Sequence, residues 1–266
     1  MRSRPQRHKR KLSLSSWPAL SALPEYMQRI LSPSQMDFQS ALDHLVSIPF
    51  SPRYKSLISS GRLNSIRIVY KATILRKQIK NQWARDDPAF AVILLGMMLV
   101  SSIAFAAAFA VSVVHFFRLI LFSIVCDFVV AGLGMSTLYW FVANTFLRMN
   151  RAMTSIQFVE WLYAFDVHCY SFVPFYLILY VLQYFLLPLL LSQSLFSTVM
   201  SNILYLSAFS AYQYVTFLGF ECLPFLQRTQ AFLSPILLYV VIFFFACLLN
   251  INLSRNVLSF YFGERV

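Results

Sequence analysis

Apolar residues fill the chain from Ala89 onward in long runs that charged residues seldom break. Five runs stand out, at about 89–113, 119–143, 171–192, 196–220 and 231–250. Each holds the roughly 20 residues that a helix needs to cross a hydrocarbon core of about 30 Å. Backbone groups in lipid must pair within their own segment, so each run predicts a helix. The second run is interrupted only by Asp127, and the fourth carries Asn202 and Gln213. Between the second and third runs, 145–169 is a polar and aromatic stretch that reads as a loop with an interfacial helix. Thr154 and Gln157 are placed to form its capping box. On that reading Trp161, Tyr163 and Phe165 sit at lipid headgroups, while the acids Glu160 and Asp166 face water.

Upstream the pattern changes. Residues 1–34 are basic and then rich in Ser and Pro, a composition that favours disorder. From 34 to 46, Phe38, Ala41, Leu42, Leu45 and Val46 recur at helical spacing, opposite Asp37, Gln39, Asp43 and His44. This predicts a short amphipathic helix, ended by Ser51-Pro52. Residues 53–85 are basic and mixed and are expected along the membrane surface. Asp86-Asp87-Pro88 reads as a helix start, with Asp at the N-cap and Pro at the first helical position. The expected division is therefore a basic N-terminus (1–34), an amphipathic and basic region (35–88) and a five-helix membrane domain (89–266). The fold class is all-α and polytopic.

Charge adds an orientation. Residues 1–88 hold sixteen basic and five acidic side chains; residues 89–266 hold six and five. A soluble domain of the second size needs far more charge on its exterior. The whole chain is 59% hydrophobic and 12% charged, with 27 Phe and 14 Tyr to serve lipid-facing and interfacial positions. With an odd number of spans the two ends lie on opposite sides. Loops rich in Lys and Arg face the cytosol, and Arg76, Lys77, Lys80 and Arg85 crowd the start of the first span. The N-terminus is thus expected in the cytosol. The basic flank suits anionic lipid headgroups, at about 1 kcal/mol for each side chain near the surface. It could also meet RNA phosphates, although no RNA-binding motif accompanies it.

Candidate chemistry is sparse. Asp127 is an ionisable group at membrane depth, either a transport or proton-relay site or a hydrogen-bonded tie between helices through Asn202, Gln213 or a Tyr. Glu160, Asp166, His168 and Cys169 match no metal-site spacing. Cys126, Cys169, Cys222 and Cys247 form no redox pattern. Cys169 and Cys222 fall near the expected cytosolic edge, as reduced thiols or acylation sites. No nucleophile sits beside an evident base, so neither an enzyme class, a cofactor nor a small-molecule substrate is indicated.

Three blocks carry a resemblance: 'RKQIKNQWARDDPAF' (76–90), 'VEWLYAFDVH' (159–168) and 'YVTFLGFECLPFL' (214–226). They closely resemble signature blocks of the uncoordinated-fifty family of small multi-pass Golgi membrane proteins. Weaker matches are 'QMDF' (35–38), Ser51-Pro52, Asp127 and 'SFY' (259–261). The segment 55–68 looks like an insertion relative to the family, and the tail 'GERV' is less basic than the family's ending. The resemblance implies a non-enzymatic trafficking factor of Golgi membranes. It implies recruitment of an Arf guanine-nucleotide exchange factor, and support for receptor delivery to the cell surface. An RNA-binding role at the inner nuclear membrane also attaches to it; the endoplasmic reticulum stays open as a location because the sequence carries no legible retrieval signal. Arg76, Lys77, Lys80, Trp83, Arg85, Asp86, Asp87, Glu160, Trp161, Asp166 and His168 are the candidate partner- or membrane-surface residues. A transporter or lipid-handling protein centred on Asp127 is the other reading, and a tethered RNA-binding protein the third.

Overall fold

A computed structural model describes residues 36–39, 41, 42, 45, 82–85, 88–149 and 157–263. Five helices are long and apolar enough to span a bilayer: α1 (Ala89–Ala108), α2 (Val113–Phe146), α3 (Trp161–Leu190), α4 (Leu195–Glu221) and α5 (Thr229–Leu248). A shorter helix, α6 (Leu253–Phe262), follows. Among the described residues there is no strand; a single antiparallel bridge pairs Arg148 with Leu226, tying the exit of α2 to the loop after α4. The chain is an all-α, multi-pass membrane protein.

The spans sit close to the apolar runs, with two corrections. α2 is longer than its run. α3 begins at Trp161, ten residues before the expected third span, so 161–169 is helix continuous with that span and not a separate interfacial helix. Glu160 is the N-cap of α3 and Gln157 precedes the helix, so Gln157 takes no part in a capping box there; Thr154 lies outside the described residues. At α1 the N-cap is Pro88, whose carbonyl accepts Val92 N–H at 3.1 Å, one position later than the expected Asp cap. Asp86 and Asp87 lie outside the described residues.

α4 is the hub, packed against α3, α5 and α6. Its polar residues account for this. Thr216 donates to Ser171 of α3 at 2.9 Å. Gln213 accepts from Tyr139 of α2 at 2.8 Å and donates to the carbonyl of Phe232 in α5 at 2.5 Å. Asn202 donates to the carbonyl of Ile251 and accepts from Leu253 N–H, at 3.0 and 3.2 Å. Ser201 is bonded to both the backbone and the hydroxyl of Ser254, each at 2.8 Å. Hydrophobic burial cannot drive helix association inside lipid, because lipid tails are equally apolar; small residues and interhelical hydrogen bonds do so instead. The two amides that make the fourth run look interrupted are the ties that hold it in the bundle.

Two helices change their winding. Ser123–Val130 in α2 and Leu177–Leu182 in α3 are π-helical. Pro174 lies three residues before the second; it has no N–H to give the ladder, and wider turns accommodate such losses. The carbonyl-rich polar cap at the far end is closed by Arg255, which donates to the carbonyls of Leu191 and Ser192 at 2.6 and 2.9 Å, and by Asn252, which donates to Leu190 at 2.8 Å.

Candidate functional site

The sequence places Trp83, Ala84 and Arg85 just before α1, in a region expected to lie on the membrane surface. The structure instead buries them, at 4%, 3% and 8% exposure. They run along the start of α3. The Glu160 carboxylate accepts the Trp83 N–H on both oxygens (3.1 Å each) and the Ala84 N–H at 3.0 Å. Nearly two turns further along α3, Asp166 accepts the Arg85 N–H at 2.7 Å. The Arg85 guanidinium donates to the Tyr170 hydroxyl at 2.5 Å and lies 6.0 Å from the Phe90 ring centre. The Trp83 ring packs 5.7 Å from Phe225, in the loop after α4. A segment outside helix and sheet has no regular partner for its N–H groups, and buried ones must be met. Glu160 and Asp166 meet them, with the added strength of a charged acceptor.

Asp166 is therefore buried, at 9%, not facing water as expected from the sequence, and His168 is buried beside it, at 3%. Tyr163 is buried as well, donating to the Gly219 carbonyl at 2.7 Å, while Trp161 alone of the expected headgroup residues is well exposed, at 36%. His168 Nδ1 pairs with the Tyr212 hydroxyl of α4 at 2.8 Å. Its other edge rests on Gly132 of α2. A Cβ at that glycine would stand 2.7 Å from Nε2, so only glycine admits the ring. Cys169 is buried in α3. Cys222, at the end of α4, donates to Gly219 and contacts the Tyr163 hydroxyl, both at 3.0 Å. Burial pushes its thiol up to about 12.

The N-terminal helical segment docks at the same end. Its described residues Phe38, Gln39, Ala41, Leu42 and Leu45 are helical. Ala41 is fully buried against a cluster that includes Ala89, Phe90 and Cys169, with Met36 and Leu45 packed beside it. Phe38 and Leu42, expected on the buried face, point outward at 36% and 44% exposure. Asp43, His44, Val46, Arg76, Lys77 and Lys80 lie outside the described residues.

Asp127 is at a second, deeper place, within the π-helical turn of α2. Tyr180, in the π-helical turn of α3, donates to Oδ2 at 2.8 Å. Tyr261 of α6 donates to Oδ1 and Oδ2 at 2.7 and 2.6 Å. The partners are thus tyrosines; Asn202 and Gln213, the amides considered from sequence, bond elsewhere. Tyr180, Tyr261, Tyr170 and Gly132 carry no sequence signal beyond a polar tip in an apolar run or a lone small residue. Only 'SFY' (259–261) pointed toward one of them. Among the described residues no group of three or more His, Cys, Asp or Glu side chains could hold a metal ion.

Comparison with known proteins agrees with this architecture. The UNC-50 family model matches residues 26–262. The chain is 43% identical over 243 residues to "Protein unc-50 homolog" of Dictyostelium discoideum, covering 91% of this chain and 88% of that protein. It is 38% identical over 245 residues to "Protein unc-50" of Caenorhabditis elegans, covering 91% and 75%. It is 35% identical over 240 residues to "Protein GMH1 homolog" of Schizosaccharomyces pombe, covering 89% and 95%. No solved structure matches the chain. A family match over nearly the whole membrane body, joined to relatives of this identity and coverage, makes this chain a member of the UNC-50 family.

Proposed function

We propose that this protein is a non-enzymatic membrane adaptor of the Golgi, with its N-terminus in the cytosol. Its 35–88 region is the platform on which an Arf guanine-nucleotide exchange factor docks. The clamp of Trp83, Ala84 and Arg85 on Glu160 and Asp166 is the observation that carries this reading. A recruiting factor must present its docking surface in a fixed relation to the bilayer, because each ordered residue that binding need not freeze lowers the cost of association. The clamp supplies that fixity at the root of the most basic part of the chain. Phe38 and Leu42, held outward by the docked Ala41 face, offer an apolar pair of the kind that enters a partner's groove. Lys and Arg before α1 add attraction to anionic headgroups.

The experiment uses the full-length chain expressed in cells that lack their own copy. Full-length protein should restore exchange factor to Golgi membranes and recover it on co-precipitation. A chain lacking residues 1–81, or carrying Phe38→Ser with Leu42→Ser, should keep its membrane residence and lose both. Unchanged recruitment by the truncated chain removes the platform reading. RNA cross-linked to the same region in place of protein would favour the tethered RNA-binding alternative.

A further inference from the structure

A cavity of about 400 Å³ opens beside Asp127, between α1, α2, α3, α4 and α6. It lies within the span region, so its surroundings are lipid and not water. Its mouth is on the outer face, where Ala131, Phe209 and Val257 are exposed. Phe105, Phe175 and Phe262 wall its interior. Polar side chains are few: the Asp127 carboxylate with its two tyrosine donors, Ser123, Gln183, Tyr205, and Ser102, whose hydroxyl is turned to the Met98 carbonyl. Ser123 is 3% exposed, and its hydroxyl, close to that of Tyr180, is left without a hydrogen bond of good geometry. A buried hydroxyl without a full partner carries a desolvation cost that a ligand hydroxyl could offset. Inside a bilayer no bulk water is at hand to repair that loss. The chamber thus has the form of a small-molecule site: concave, mostly apolar, with a few convergent polar groups.

We propose that this cavity binds a sterol, entering sideways from the bilayer with its single hydroxyl at the Asp127–Ser123 end. Three features select the ligand. No lining residue is basic, so a phosphate would face the Asp127 carboxylate with nothing to neutralise it. The volume takes one slim body and not a two-tailed lipid. Seven of the seventeen lining residues are aromatic, and a flat fused-ring body lies on such rings without losing the rotamer freedom that a flexible chain gives up. A hydroxyl also fits the polar end better than an ammonium, since it can donate to the carboxylate and accept from Ser123 at once. This site is separate from the docking platform, and its loss leaves the platform reading standing.

The test uses purified full-length protein in phosphatidylcholine nanodiscs and a photoactivatable sterol bearing a diazirine. Labelling should map to peptides containing 119–131 and 253–262. It should be competed by unlabelled sterol and not by hexadecanol. Val257→Trp and Ala131→Phe, which each fill the mouth from a different helix, should lower labelling about tenfold. Thermal unfolding of the same samples identifies any variant that fails to fold, and the other filled variant then carries the test. Full labelling in a folded, filled variant overturns the proposal. So does labelling that maps elsewhere, or competition by hexadecanol as strong as by sterol.

Discussion

Tyr261 donates its hydroxyl to both oxygens of Asp127, at 2.7 and 2.6 Å, joining the short C-terminal helix to the second membrane span across 134 residues of chain. α6 is too short to cross a bilayer, and this contact, with the stack of Phe262 on Phe109 at 4.3 Å, holds it against the bundle. Tyr261→Phe removes the donor and leaves Asp127 with Tyr180 alone. The expected cost is about 1–2 kcal/mol, at the upper end for interhelical hydrogen bonds because the acceptor is a carboxylate. Asp127→Asn should cost a comparable amount, and the double variant should cost less than the sum, since both remove one interaction. Unfolding of the detergent-purified variants measures all three. Strict additivity would show that the contact contributes nothing.

Glu160 governs the strap. Its carboxylate accepts two consecutive backbone N–H groups from Trp83 and Ala84. Glu160→Ala strips both acceptors, and the buried segment should open locally without unfolding the spans. Arg85 reports the opening, because a tryptic site 8% exposed is poorly cleaved until it swings free. Cleavage after Arg85 should be about tenfold faster in Glu160→Ala, matching the loss of about 1.4 kcal/mol. Trp161→Ala, at the exposed neighbour, should leave the rate near that of the natural chain. Equal rates for all three proteins would mean that Asp166, Tyr170 and the packing of Trp83 hold the segment without Glu160.

Much of the fold was legible in the sequence because span length is a property of unbroken runs of apolar residues, and α1, α4 and α5 follow theirs closely. The start of α3 was not. Asp166 and His168 look too polar for a span when judged by their neighbours. Their partners are Arg85, 81 residues upstream, and Tyr212, 44 residues downstream. A local pattern cannot see a debt settled so far away. The same holds for Phe38 and Leu42: helical spacing finds the apolar stripe, but only the docked surface decides which part of it is covered. At Asp127 the sequence gives the acid and the alternatives for its partners. The π-helical turns that aim Asp127 and Tyr180 at one another leave no mark in the pattern.

Cys222 should resist thiol reagents despite its place just beyond the end of α4. Burial raises its pKa to about 12, so the reactive thiolate is scarce at neutral pH. Maleimide labelling of the folded protein at pH 7.5 should leave Cys222 largely unmodified, and detergent-denatured protein should react fully. The linkage has a definite sign. The unfolded thiol ionises near 9 and the folded one only near 12. The folded state therefore keeps its proton where the unfolded state has lost it. The contribution is intact below pH 9 and is lost as pH rises from 9 toward 12. Cys222→Ser should flatten that alkaline decline. A decline unchanged by the substitution would assign it to other groups.

Gly132 sets how closely α2 approaches α3. With no Cβ it lets the His168 ring lie against the α2 backbone, and a methyl there would stand 2.7 Å from Nε2 and 2.8 Å from Cδ2. The ring cannot simply turn away, because Nδ1 is held by Tyr212 and the faces are packed by Phe128 and Phe172. Gly132→Ala must therefore push the helices apart or break the Tyr212 bond. Alanine is the better helix former, by about 1 kcal/mol, so a site with free space would be stabilised by the change. Here overpacking, at about 1–3 kcal/mol, should outweigh that gain and lower the unfolding temperature. Gly134→Ala is the internal control. It sits on the same helix with nothing within 4 Å of its Cβ position, and it should be neutral or stabilising. Combining Gly132→Ala with His168→Ala should cost less than His168→Ala combined with the Gly132→Ala penalty measured alone, because the methyl then enters the space the ring vacated. If Gly132→Ala and Gly134→Ala behave alike, the close approach of α2 and α3 does not constrain the bundle.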